Sequence, residues 1–142
     1  MLHQGGKQMS WIVIAAVFAA GTISSFTDWY FMGVLFHDRY QTYPETWWPR
    51  QQSDTQPILY STALGYVTAA AVMALCAMAG VDSVWSGIKV GFIAWLAGSF
   101  VQVATTHIWV RIDLNVTIAH ALGYLARFLI AGIAAGIALP LI

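Results

Sequence analysis

The sequence predicts an all-α integral membrane protein, an antiparallel bundle of four transmembrane helices. Three observations predict it. Hydrophobic residues make up 59% of the 142-residue chain and charged residues only 8%, against about 25% charged in a soluble domain. A soluble fold of this length has too much surface for its volume to hide that much apolar area, so lipid must be the solvent for much of it. The apolar residues are also gathered into four windows, about 11–36, 57–79, 86–110 and 115–139, each near the roughly 20 residues that cross a bilayer. The length fits one membrane domain covering 1–142.

The first window follows Lys7 and contains Ala19-Ala20-Gly21, which imitates a secretory leader. Its apolar run continues to Phe36, so it reads as a retained first helix. Loop 37–56, HDRYQTYPETWWPRQQSDTQ, is the only sizeable extramembrane segment; its aromatics and two prolines suit a strip lying in the headgroup region. Pro57 fits the first turn of helix two, where its missing N–H costs little. Gly80 suits the C-terminus of that helix. Asp82 or Ser83 can cap helix three, and Asp113 or Asn115 can cap helix four. The link between helices three and four is short, so those two form an antiparallel hairpin.

Four spans place the N-terminus, the 80–85 turn and the C-terminus on one side of the membrane, side A, with loop 37–56 and turn 111–114 on side B. Interfacial aromatics agree: Trp11 and Trp85 on side A, and Tyr40, Tyr43, Trp47, Trp48, Tyr60 and Trp109 on side B. Lys7 and Lys89 face Arg39, Arg50 and Arg111, which is no positive-inside bias, so the orientation stays open. Apolar burial does not drive helices together in lipid, so close packing must. Gly87, Gly91 and Gly98 on helix three, and Gly132 and Gly136 beside Ala131 and Ala135 on helix four, supply two small-residue faces. Those faces serve either packing within the bundle or a homo-oligomer.

Polar residues inside the spans gather toward side B. At 1.5 Å rise per residue, Asp28 lies roughly 12 Å and Arg127 roughly 18 Å inside that end of helices one and four. They are opposite in sign and are the only charges well inside the spans. An unpaired charge there costs about 2.5–3.5 kcal/mol, so the two are expected to pair, directly or through water. His120 is seven residues before Arg127 on the same face, with Tyr124 between them, and His107 is about a turn from the side-B end of helix three. His37 closes helix one on that side; Gln102, Thr105 and Thr106, Ser24, Ser25 and Thr27, and Tyr60, Ser61, Thr62 and Tyr66 extend the set. Three readings of Asp28 stay open: a wet interfacial aspartate if helix one ends near Tyr30, a structural pair that fixes register, or part of a functional site.

Several chemistries find no support. No Lys/Arg run offers a footprint for nucleic acid. The lone Cys76 excludes an intrachain disulfide or a cysteine-based zinc cluster and reads as a small packing residue. His37, His107 and His120 sit on three separate elements, and with Asp28 they show no metal-ligand spacing, so no metal site and no cofactor are assigned. No nucleophile elbow, P-loop, dinucleotide fingerprint or catalytic carboxylate pair is present, so no catalytic residue is assigned and the chain does not read as an enzyme.

Trp29-Tyr30 followed by Leu35-Phe36, GIKVGFIAWLAG (87–98) with Thr105 or Thr106 beyond it, and GYLARFLIAGIAAGIAL (123–139) resemble the small four-span bacterial membrane proteins of the domain of unknown function 1761 family. The resemblance covers about half the chain. It departs after Tyr30, where Phe31-Met32-Gly33 stands in place of an expected Ser-Pro and a nearby Gly-Lys. It implies an antiparallel four-helix bundle, multi-pass in a bacterial inner membrane, with no established activity.

Two functions fit these residues. One is a polar half-cavity on side B that binds or conducts a small ligand, an ion or a lipid headgroup, with Asp28 and Arg127 at its centre and His120, His107 and Tyr124 as lining. The other is a structural or accessory subunit of a membrane protein complex, recognising its partner through loop 37–56 and the glycine faces. The lipid bilayer is the one partner that composition requires; a homo-oligomer and a membrane protein partner are the further ones these readings imply.

Overall fold

Each of the four apolar windows forms a helix. The computed structural model describes residues 3–46 and 55–142, with side chains from residue 11 onward; Trp47, Trp48, Arg50 and the Lys7 side chain lie outside what is described. The candidate membrane spans are Trp11–Leu35, Thr55–Met78, Val84–Trp109 and Leu114–Leu141. Helix α1 (His3–Asp28) continues as a π-helical segment, Trp29–Leu35. Helix α2 is Thr55–Met78, and α3 (Val84–Trp95) passes through a second π-helical segment, Leu96–Phe100, into α4 (Val101–Trp109). Helix α5 (Leu114–Ala138) ends in a 3-10 turn, Leu139–Leu141. All regular structure among the described residues is helical.

The side chains at the helix ends explain where they stop and start. Gly80 takes φ +67°, a left-handed conformation that only glycine adopts without strain. This turn returns the N–H of Val81 to the carbonyl of Cys76 at 3.0 Å and that of Gly80 to Ala77 at 3.2 Å, the paired closure of a Schellman motif. Ser83 then caps α3 reciprocally with Ser86, whose hydroxyl accepts from the Ser83 N–H at 3.1 Å. Asp113 caps α5, accepting from the Asn115 N–H at 2.7 Å. Pro57 stands third in α2, inside the first turn as expected.

Helix α5 is the centre of the bundle and packs on α1, α2 and α3, while α1 and α2 also pack on each other. Helix α3 leans mainly on α5, as a hairpin predicts. Glycine makes that contact: a Cβ built at Gly87 or Gly132 would collide with the other's backbone, and one at Gly91 would meet the Phe128 carbonyl. Four of the five glycines in the two small-residue faces are therefore used inside the bundle; Gly98 has nothing within 4 Å.

The side-A half is dry. Ala20, Ala69, Val72, Met73, Cys76, Ala131, Ala135 and Ala138 form one buried cluster. Large apolar side chains on the other helix faces point outward, among them Trp11, Phe18, Leu64, Trp85 and Trp109, the arrangement of helices solvated by lipid. The first part of loop 37–56 is folded rather than a plain strip: it forms 3-10 turns His37–Gln41 and Pro44–Thr46. Thr46 Oγ1 donates to the Arg111 carbonyl at 3.0 Å, and the Arg111 guanidinium lies 4.5 Å from the Tyr43 ring centre.

Candidate functional site

Asp28 closes α1 and Arg127 lies midway along α5; the Arg127 Nη2 donates to the Asp28 Oδ2 in a salt bridge. Their side chains are only 10% and 15% exposed for Arg127 and Asp28. The helical run does not end at Tyr30 but continues as the π-helical segment to Leu35, so Asp28 lies within the first candidate span.

Two residues of α5, Tyr124 and His120, continue the site from Arg127 toward side B. Steps of three and four residues put Arg127, Tyr124 and His120 on one helical face. The guanidinium lies 5.4 Å from the Tyr124 ring centre, within cation–π range, and His120 stacks on Tyr124 at 6.0 Å. Tyr40, from the turn His37–Gln41, completes the row with its Oη 2.9 Å from His120 Nε2. This bond ties the side-B loop to the centre of the bundle.

In front of this row is a cavity of about 470 Å³, within the size range of small-molecule sites. The first span contributes Asp28, Trp29, Met32 and Gly33 to its wall; the loop turn contributes His37 and Tyr40, α2 contributes Ser61 and Thr62, and α5 contributes His120. Arg127 is not on the wall. It meets the Asp28 carboxylate from α5, and the second carboxylate oxygen, Oδ1, is buried near Gly123 of the same helix. A smaller cavity of about 180 Å³ lies on the far side of His120, against Gln102, Thr106, Thr117 and Tyr124. His120 is the partition between the two.

Buried polar groups normally find a partner. Among the described residues, three do not: Ser24 Oγ, Asp28 Oδ1 and Arg127 Nε. Ser24 and Asp28 are four residues apart on α1, so these unmet groups belong to the α1–α5 contact around the ion pair.

Of the five residues singled out from sequence, Asp28 and His120 border the larger cavity, Tyr124 borders only the smaller one, and Arg127 backs Asp28. His107 borders neither. Its Nδ1 is 2.9 Å from Thr117 Oγ1, a bond across the α4–α5 turn. Tyr66 also turns away, with its ring against Gly21 and its hydroxyl 3.0 Å from Thr22 Oγ1. Tyr40 is a wall residue that sequence reasoning placed at the interface, and Trp29 is one that it left without a role. Trp29 carried a usable signal, its adjacency to Asp28; Tyr40 carried none, since a loop tyrosine reads as an interface anchor. No group of three or more His, Cys, Asp or Glu among the described residues is placed to hold a metal ion.

No family model matches this chain, no curated protein matches it and no solved structure matches it. What the chain is must therefore be read from its own residues. Four long apolar helices packed as one bundle make it a multi-pass membrane protein in contact with the bilayer.

Proposed function

We propose that this chain is a non-enzymatic membrane protein whose side-B cavity holds a small ligand, an ion or a lipid headgroup. One observation carries the reading: a buried ion pair, with hydrogen-bonding capacity left over, backs a cavity large enough for a small molecule. A pair that served only to fix helix register would need no cavity beside it, whereas this one adjoins a cavity lined with hydroxyl and imidazole groups able to bind a small molecule. Conduction has less support, because the side-A half of the bundle is a packed apolar core.

The accessory-subunit reading loses part of its basis, since Gly87, Gly91, Gly132 and Gly136 already pack α3 on α5. A homo-oligomer would have to use other surfaces. A bacterial inner membrane as the location rests on the resemblance to the domain of unknown function 1761 family alone, which no family-model match backs.

Native mass spectrometry of the full chain released from mild detergent tests the proposal, because it reads subunit number and any retained small mass together. A defined extra mass that disappears in Asp28→Asn is the expected result. A bare chain from several lipid extracts, with Asp28→Asn and Arg127→Gln indistinguishable from the parent, would show that the pair is structural.

A further inference from the structure

We propose that two copies of this chain pair side by side in the membrane through the outward face of α4, joined by their Gln102 side chains. The pairing stands apart from the cavity reading, because it uses none of the residues that line the larger cavity.

Helix α4 contributes no buried residue to the bundle. On its outward face Gln102, Thr105 and Trp109 follow one another at steps of three and four residues, and all three are exposed. Phe100, Val101, Ile108 and Trp109, the large outward side chains around them, are apolar, as lipid requires. Gln102 departs from that rule. It stands roughly 10 Å inside Trp109 at 1.5 Å per residue, below the interfacial level that an exposed tryptophan marks. Its main-chain carbonyl accepts from Thr106 Oγ1 at 2.8 Å, but its side-chain amide makes no hydrogen bond with a described residue. The Thr105 hydroxyl, on the same face, makes none either. Acyl chains carry no donors or acceptors, so a carboxamide turned toward them stays unsatisfied. Glutamine in a membrane span bonds across to another helix instead.

A second copy is the occupant that this group selects. A carboxamide carries an acceptor oxygen and two N–H donors, so two of them satisfy each other through reciprocal N–H···O bonds. A two-fold axis along the membrane normal brings identical residues together at one depth. An antiparallel pair would not, because Gln102 lies nearer one end of the span Val84–Trp109. One turn before it, Gly98 has nothing within 4 Å of an added Cβ, which leaves room for close approach. Val101 and Ile108, 52% and 75% exposed, supply apolar surface on the flank. Gln102 also edges the smaller cavity, whereas Thr105 and Gly98 do not.

Energy transfer between full chains carrying donor or acceptor fluorescent proteins at the C-terminus, reconstituted in liposomes at decreasing protein-to-lipid ratios, reads the pairing. The parent is expected to pair. Gln102→Leu should weaken pairing about five- to thirtyfold, as for a polar side-chain contact between model membrane helices. Gln102→Asn, which keeps a carboxamide, should pair more tightly than Gln102→Leu. Oxidative cross-linking in the same liposomes locates the face. Thr105→Cys should give a disulfide-linked dimer; Leu64→Cys, exposed on α2, and the parent, whose Cys76 is buried, should not. A parent that stays monomeric at every ratio would overturn the proposal, as would cross-linking at Leu64→Cys in place of Thr105→Cys. Pairing of Gln102→Leu equal to that of the parent would overturn the role of the amide. If that variant instead unfolded at a lower midpoint in dilute micelles with its pairing unchanged, the amide would belong to the smaller cavity and not to a contact between copies.

Discussion

Arg127 and Asp28, 99 positions apart in sequence, close the only salt bridge between described residues of the membrane spans. In a bundle whose other contacts are mostly apolar or between small residues, this bond ties α5 to the end of α1. Removing one partner leaves the other alone in a low-dielectric site. Asp28→Asn should therefore destabilise the fold by about 3–5 kcal/mol. Arg127→Gln should cost less, because a stranded carboxyl group can take up a proton whereas arginine stays charged. Asp28→Leu/Arg127→Met should recover most of the loss. Unfolding titrations in mixed micelles would rank the three; equal stability of both single variants and the parent would show that the pair contributes nothing.

Gly132 and Gly87 approach so closely that neither tolerates a side chain. The obstacle is backbone, which cannot rotate aside as a side chain would. Gly132→Leu should destabilise the bundle by about 1–3 kcal/mol or more, seen as a lower unfolding midpoint. Gly98→Ala, in open space, is the control and should be tolerated or slightly favourable. If Gly132→Leu instead changed only the subunit number, the glycine face would belong to an interface between chains.

How much of this was legible beforehand differs by feature, for physical reasons. The spans were legible because a bilayer sets the length of an apolar run, and the observed bounds fall close to the windows. Ser83, Gly80 and Asp113 were legible because helix ends demand particular side chains. The Asp28–Arg127 pair was legible because charge in lipid is costly and only two charges were deep. Which face of each helix turns inward was not, since helices in lipid are apolar all round and lose the amphipathic signal. The π-helical segments Trp29–Leu35 and Leu96–Phe100 were not either. The second follows Trp95, whose indole donates to the Ala121 carbonyl at 3.0 Å, a contact that exists only in the assembled bundle. That His107 lies apart from both cavities was hidden for a related reason: its partner, Thr117, meets it only where α4 turns into α5.

At the side-A turn after α2, Gly80 is the one described residue with positive φ. Alanine there must adopt a left-handed conformation that costs roughly 1–2 kcal/mol. Open space surrounds the position, so the cost would be conformational and not steric. Gly80→Ala should therefore lower stability by about 1 kcal/mol, and Gly80→Asn by less, because asparagine tolerates this region better. The order parent, asparagine, alanine in unfolding midpoint is the expected reading; alanine equal to the parent would show that the turn relaxes without its left-handed residue.

The cap of α5 should make stability depend on acid. The Asn115 N–H donating to the Asp113 carboxylate holds that carboxyl below its ordinary value of 3.8, and the nearby Arg39 guanidinium adds a smaller pull in the same direction. A carboxyl group depressed in the folded state binds fewer protons folded than unfolded, so its contribution is fully present above the unfolded value. That contribution disappears as pH falls from 3.8 through the lower folded value. Asparagine at this position keeps an oxygen to accept the Asn115 N–H but has no proton to gain. Asp113→Asn should thus be slightly less stable than the parent at neutral pH and should converge with it in acid. Unfolding midpoints of both chains measured from about pH 6 down to about pH 3 decide the matter. Parallel curves over that range would mean that the carboxylate charge contributes nothing to the cap, and that α5 is held at this end by the Tyr40–His120 and Thr46–Arg111 contacts instead.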